Sequence, residues 1–95
     1  MAAYVIVQVE VTDWDKFREY LKETPRVMAK YGGRYIARAG EMVIFEGDEQ
    51  SKRVVLIEFP SLQKVKDWYY SEEYKQIKSL RKGAATGSLI AIDGC

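Results

Sequence analysis

Arg34, Arg38, Glu10, Glu46 and Glu58 fall in or beside stretches that read as strands. Arginine can grip a carboxylate or a developing enolate with paired N–H donors, and a nearby glutamate can move the proton. Arg38 is the first candidate for charge recognition and catalysis, with Arg34 supporting it and Glu46 as candidate acid/base. Tyr31, Trp68 and Tyr74 are candidate pocket walls or hydrogen-bond donors, and Tyr69 could line the same space. Such a set suits proton abstraction beside a carbonyl. It also suits oxygenation of an electron-rich substrate held, without a cofactor, in a dry aromatic pocket.

Each residue also has a structural role open to it. Two arginines and two glutamates can neutralise one another on a buried face. Trp68 stands at helical spacing from Leu62 and Val65 and fits a core. Tyr20, Tyr31 and Tyr74 can be core residues whose hydroxyls are satisfied at an edge. Arg81, beside Lys78 and Lys82, reads either as a solvated helix end or as a carboxylate clamp. Glu46-Gly47-Asp48 reads as turn chemistry, with Glu46 at the end of a strand.

Composition narrows the chemistry. His is absent and the single Cys is the last residue, Cys95. That excludes a Ser-His-Asp triad, a Cys-His pair, a His-ligated haem and the usual zinc sites, so neither metal nor cofactor is expected. Fifteen Lys+Arg stand against fourteen Asp+Glu, a formal charge of +1 that provides no field for nucleic acid or an anionic membrane. The 95 residues, 47% hydrophobic and 31% charged, fit one globular domain over 1–95. One terminal Cys cannot staple a fold, and no apolar run approaches the ~20 residues that span a bilayer. The opening Met1–Val7 reads as a strand rather than a signal peptide, and the cytoplasm is the expected compartment.

The elements that must position these residues follow from periodicity. Residues 3–11 alternate Val5, Val7, Val9 and Val11 with Tyr4, Ile6, Gln8 and Glu10 and predict a strand. Thr12-Asp13 supplies an N-cap, with Asp15 approximating a capping box. A helix is expected to about Tyr31, kinked or restarted at Pro25 with Thr24 as a local cap, and stopped by Gly32-Gly33. Residues 34–38 predict a strand, Ala39-Gly40 a bulge or bend, 42–46 a resumed strand and 47–51 a turn. A strand over 53–59 returns antiparallel. Pro60-Ser61 then opens a helix, Ser71 caps a second segment that Gly83 ends, and 88–92 form the last strand.

The order β-α-β-β-α-β is the ferredoxin-like pattern, an α+β fold in which an antiparallel sheet carries helices on one face. Both strand faces are apolar, however: Tyr4, Ile6, Ile36, Val54 and Leu56 would lie on the side away from the helices. Left bare, they would make a large apolar patch, so a second copy is expected to cover it in a two-fold, sheet-to-sheet dimer. Strict alternation places Gln8, Glu10, Arg34, Arg38 and Glu58 on that same face.

Several blocks carry a resemblance: Tyr4-Val5-Ile6-Val7-Gln8-Val9, Tyr31-Gly32-Gly33-Arg34-Tyr35, Arg38 and Glu46-Gly47-Asp48, Arg53 through Ser61, and Trp68 through Tyr74 with Arg81. Together they resemble the domain of unknown function 1330 family, within the dimeric α+β barrel superfamily. The resemblance implies a ferredoxin-like protomer whose sheet packs against its partner's, and no settled reaction. Members often carry His before the paired glycines, where this chain has Tyr31, a weaker base near neutrality with a pKa of about 10. Superfamily relatives include cofactor-free monooxygenases, lactone isomerases, haem-degrading enzymes and dehydratases. The expectation is thus a soluble homodimer that binds a small carbonyl-bearing or anionic molecule for cofactor-free proton transfer or oxygenation. The alternative is a non-catalytic binding or structural dimer. The enzyme reading predicts an Arg–carboxylate–Tyr constellation opening onto a cavity of at least ~300 Å³, and the alternative predicts that the same charges pair off with no cavity behind them.

Overall fold

Alternation along the first strand sorts the molecule into layers. In β1 (Ala3–Val11), Ala3, Val5 and Val9 are buried while Tyr4, Ile6 and Gln8 are half-buried. The computed structural model describes residues 1–47 and 52–95. Beyond β1 lie α1 (Trp14–Lys30), β2 (Arg34–Arg38), β3 (Arg53–Phe59), α2 (Leu62–Tyr69), α3 (Glu72–Lys78), a 3₁₀ turn (Ser79–Arg81) and β4 (Ala85–Asp93). The strands form one antiparallel sheet in the order β2-β3-β1-β4, the ferredoxin-like arrangement. Val5, Val9, Val55, Ile57 and Phe59 pack beneath Phe17, Val27, Met28, Val65, Trp68 and Tyr74 from the helices.

The helix starts follow short polar side chains. Lys16 N–H donates to Asp13 Oδ1 (3.2 Å) and Lys64 N–H to Ser61 Oγ (3.2 Å). The expected capping box does not form: Asp15 pairs instead with Arg18 at 2.7 Å. Thr12 donates its hydroxyl to the Ala84 carbonyl (3.1 Å), tying the β1–α1 corner to the start of β4.

α1 runs through Pro25 without the expected restart. Proline brings no N–H to the Leu21 carbonyl, but Val27 and Met28 beyond it are buried and hold the last turns on the sheet. Thr24 is not a cap. It is buried, and its hydroxyl donates to the Tyr20 carbonyl at 2.7 Å. Gly32, at φ +81°, takes the left-handed conformation that ends the helix.

β2 departs most from expectation. The bulge lies not at Ala39-Gly40 but between Tyr35 and Ala37, centred on Ile36. Tyr35 stands opposite Ile57, Ala37 opposite Leu56 and Arg38 opposite Val55. Directly opposed residues share a face, so Arg38 moves from the outer face to the helix side. Residues 42–46 form no strand. Ala39 turns the chain at φ +51°, and the opposing strand β3 starts only at Arg53. A β-prone run without cross-strand partners has little to hold it extended. Val43 and Phe45 are exposed (65% and 90%). Of the expected 47–51 turn, Asp48–Ser51 lie outside the described residues. β4 runs three residues earlier and one later than predicted, because pairing with β1 continues to Val11↔Ala85.

Candidate functional site

The helices and the middle of the sheet line a hollow between them. Ser71 organises one wall. Its Oγ accepts from Tyr74 N–H (3.1 Å) and its hydroxyl donates to the Trp68 carbonyl (2.8 Å), fixing the α2–α3 corner. Trp68 and Tyr74 then pack with ring centroids 4.4 Å apart, both fully buried. One turn beyond Tyr74 comes Lys78, and in the 3₁₀ turn comes Arg81. The spacing 74, 78, 81 keeps all three near one helical face.

Between this face, α1 and strands β1 and β4 lies a cleft of about 320 Å³. Val7, Val9, Phe17 and Leu89 give it apolar walls; Tyr20, Tyr69, Lys78 and Arg81 give it polar ones. Gly87 lets the chain pass close at its floor, where a Cβ would collide with the Gln8 carbonyl. A smaller hollow of about 40 Å³ adjoins it through the shared Val7, Val9, Phe17, Tyr20 and Leu89, and reaches Tyr35, Arg38, Arg53 and Trp68. Both spaces are lined in part by cations, and among the described residues no carboxylate lines either.

The tyrosines are set by their surroundings. Tyr20 and Tyr74 share a hydroxyl–hydroxyl hydrogen bond of 2.7 Å. Burial, reinforced by Tyr20, pushes the Tyr74 phenol far above its usual range. Burial also raises Tyr35, partly opposed by Arg38, whose guanidinium carbon lies 4.4 Å from the Tyr35 ring centroid. Lys78 donates to the Tyr69 hydroxyl at 2.8 Å. Trp68 Nε1 and Arg81 Nε are buried without a hydrogen-bond partner among the described residues.

The residues singled out by sequence are partly separated. Arg38 and Trp68 meet at the smaller hollow, and Tyr74 stands one residue behind the cleft through Tyr20. Arg34 is on the outer face, donating to Glu58 at 2.7 and 3.0 Å. Glu46 lies on the exposed 39–47 segment, and Tyr31 packs against the core as the C-cap of α1; neither lines the cleft. Tyr20, Tyr35, Lys78 and Arg53 were not read as site residues. The helical spacing of Tyr74, Lys78 and Arg81 carried a signal for the cationic lining; nothing in the sequence marked the bulge that aims Arg38. No group of three or more His, Cys, Asp or Glu that could hold a metal comes together among the described residues. None of the described helices is long and apolar enough to cross a membrane.

Fold and cleft together define an α+β, ferredoxin-like protein with a hollow between sheet and helices. The chain belongs to the family described as domain of unknown function (DUF1330), whose model matches residues 2–95. Its fold is similar to that of a protein of unknown function from Rhodopseudomonas palustris, at TM-score 0.79 and 16% identity, over 99% of this chain and 82% of that one. It is also similar to SnoaB, a cofactor-independent oxygenase from Streptomyces nogalater, at TM-score 0.70 and 9% identity, over 99% and 93%. A dimeric protein of unknown function and ferredoxin-like fold from Bacteroides fragilis matches at TM-score 0.67 and 16% identity, over 98% and 96%. At these identities the likeness is one of fold. No curated protein matches the chain.

Proposed function

We propose that this protein is a homodimer that binds a small, partly apolar, anionic or carbonyl-bearing molecule in the cleft between sheet and helices, for proton transfer or oxygenation without a cofactor. The observation that carries the reading is the cleft itself: about 320 Å³, apolar-walled, with Lys78 and Arg81 and no lining carboxylate among the described residues. That volume is at the lower end of ligand sites. Arg38, with Arg53, contributes positive charge at the adjoining hollow. The fold shared with SnoaB, an oxygenase that needs no cofactor, supports the reaction class. The dimeric Bacteroides fragilis protein supports the assembly.

That no carboxylate lines the cleft among the described residues shapes the mechanism. With Glu46 outside the cleft, proton removal falls to a tyrosine or to a substrate acidic enough to lose its proton under nearby cations. It also favours a second reading, a binding protein that holds its ligand and does no chemistry on it. Incubation of a bound compound under oxygen, followed by mass spectrometry, separates the two.

The binding reading is tested by a thermal-shift screen of small aromatic acids and lactones, since a ligand of the folded form raises the melting temperature. A panel that moves nothing sinks it. Arg38→Ala tests the role given to that residue. Binding weakened about tenfold, with fold and assembly intact, supports a site contact; unfolding alone assigns Arg38 to structure.

A further inference from the structure

The Tyr20–Tyr74 hydroxyl pair has a direction that burial decides. Each hydroxyl has one hydrogen and can accept as well. The Tyr74 phenol is fully buried; its hydroxyl partner among the described residues is Tyr20, and Arg81, the cation beside it, can only donate. If Tyr20 were the donor, the Tyr74 hydrogen would be stranded in the core, a costly arrangement. Tyr74 therefore donates to Tyr20, and the Tyr20 hydrogen is left to point elsewhere. Tyr20 lines the cleft, and accepting one hydrogen bond strengthens its own O–H as a donor.

Arg81 stands beside it, its guanidinium carbon 5.3 Å from the centroid of the Tyr20 ring. Its Nε is buried and unpartnered among the described residues. Lys78, the other cation, already gives one N–H to Tyr69. The hollow beside Arg38 is only about 40 Å³, too small for a ring. The cleft is lined by this neighbouring cation and phenol and by the apolar surfaces of Val7, Val9, Phe17 and Leu89.

We infer that the cleft takes an aromatic monocarboxylate of one or two rings, its charged oxygens held by Arg81 and the Tyr20 hydroxyl and its rings against the apolar walls, with Tyr74 as the residue that orients Tyr20. This rests on the reading that the cleft binds a small molecule, and adds which residues bind charge and what the ligand must carry. Arg81 can offer two parallel N–H groups to a carboxylate, and Tyr20 a third donor. A neutral amide of the same shape keeps the ring contacts and loses the charge.

The test compares 2-naphthoate with 2-naphthamide by NMR titration of the intact protein, following the amide signals of Val7, Val9, Gly87 and Leu89. The acid is expected to bind at least tenfold more tightly. Arg81→Gln should bring acid and amide within about twofold of each other, and Arg81→Lys, which keeps charge without the fork, should fall between. Tyr20→Phe and Tyr74→Phe should each weaken the acid several-fold and the amide, whose carbonyl accepts the same bond without charge, by clearly less, a difference that a merely structural role would not produce. If both probes shift the cleft signals with equal affinity in the unaltered protein, the charge assignment is overturned while the cleft stands as a binding site. If the preference for acid survives Arg81→Gln in a folded protein, Arg81 is not the anchor. If neither probe moves the cleft signals, the binding reading and this inference fall together.

Discussion

Tyr74 sits sealed in the core with its phenol against that of Tyr20. Removing the hydroxyl in Tyr74→Phe leaves Tyr20 without its partner and should cost about 1 kcal/mol in urea unfolding at pH 7. The sign of the pH effect follows from linkage. The Tyr74 pKa is raised in the folded state, so the folded form retains its proton where the unfolded chain has lost it. Stability is therefore undiminished below the unfolded pKa of about 10 and falls as pH rises above it, by up to ~1.4 kcal/mol per pH unit for one proton. Tyr35 is raised in the same direction and adds to the fall. Tyr74→Phe should flatten this alkaline decline. An unchanged slope between pH 9 and 11 would show that the Tyr74 phenol does not carry it. Trp68 and Tyr74 were legible as helix-face aromatics because their spacing from Leu62, Val65 and Ile77 is local. Arg38 was not, because its face depends on one extra residue in the strand before it.

The helix that crosses Pro25 raises a question at the scale of the element. An interior proline costs a helix about 3 kcal/mol relative to alanine. Here packing on both sides of it overrides that cost. Pro25→Ala returns an N–H to the Leu21 carbonyl and should raise stability by about 1–2 kcal/mol after allowance for the freer unfolded chain. A lowered urea midpoint would mean that the half-buried proline ring contributes more by packing than the hydrogen bond restores. β2 shows the converse, local preference losing to context. Met42-Val43-Ile44-Phe45 has strand chemistry, yet it lies beyond the register that β3 offers, while the bulge at Ile36 turns Arg38 towards the helices. Only the cross-strand pairing shows either fact.

At the scale of the molecule, the sheet face away from the helices stays apolar. Tyr4, Ile6, Val54 and Leu56 are half-buried, and Ile90 and Ile92 are exposed (56% and 57%). The register places Ile92 opposite Tyr4 and Ile90 opposite Ile6, so these side chains form one continuous surface. The Arg34–Glu58 pair adjoins it, already neutralised. Under the proposed assembly a second copy covers this surface. Sedimentation at micromolar concentration should then give twice the chain's 11.0 kDa. The Ile90→Lys/Ile92→Lys double substitution should give a folded single chain, because buried like charges oppose association. A single chain for the unaltered protein would remove the dimer from the proposed function but leave the cleft, which one protomer forms alone.

The βαββαβ order, the polar helix starts and the doubly apolar sheet could be read from the sequence because each is set by neighbours a few residues apart. Alternation of two, a helical stripe or a capping serine needs no distant partner to be recognised. The cleft could not be read that way. It brings together β1, α1, the α2–α3 corner and β4, and its charge depends on where each cation finishes: Arg34 on Glu58, Arg38 turned by a bulge, Arg81 carried inward by a 3₁₀ turn. Those placements come from strand register and side-chain packing across the whole chain. Tertiary structure alone decided which charged residues pair off on the outer face and which line the hollow.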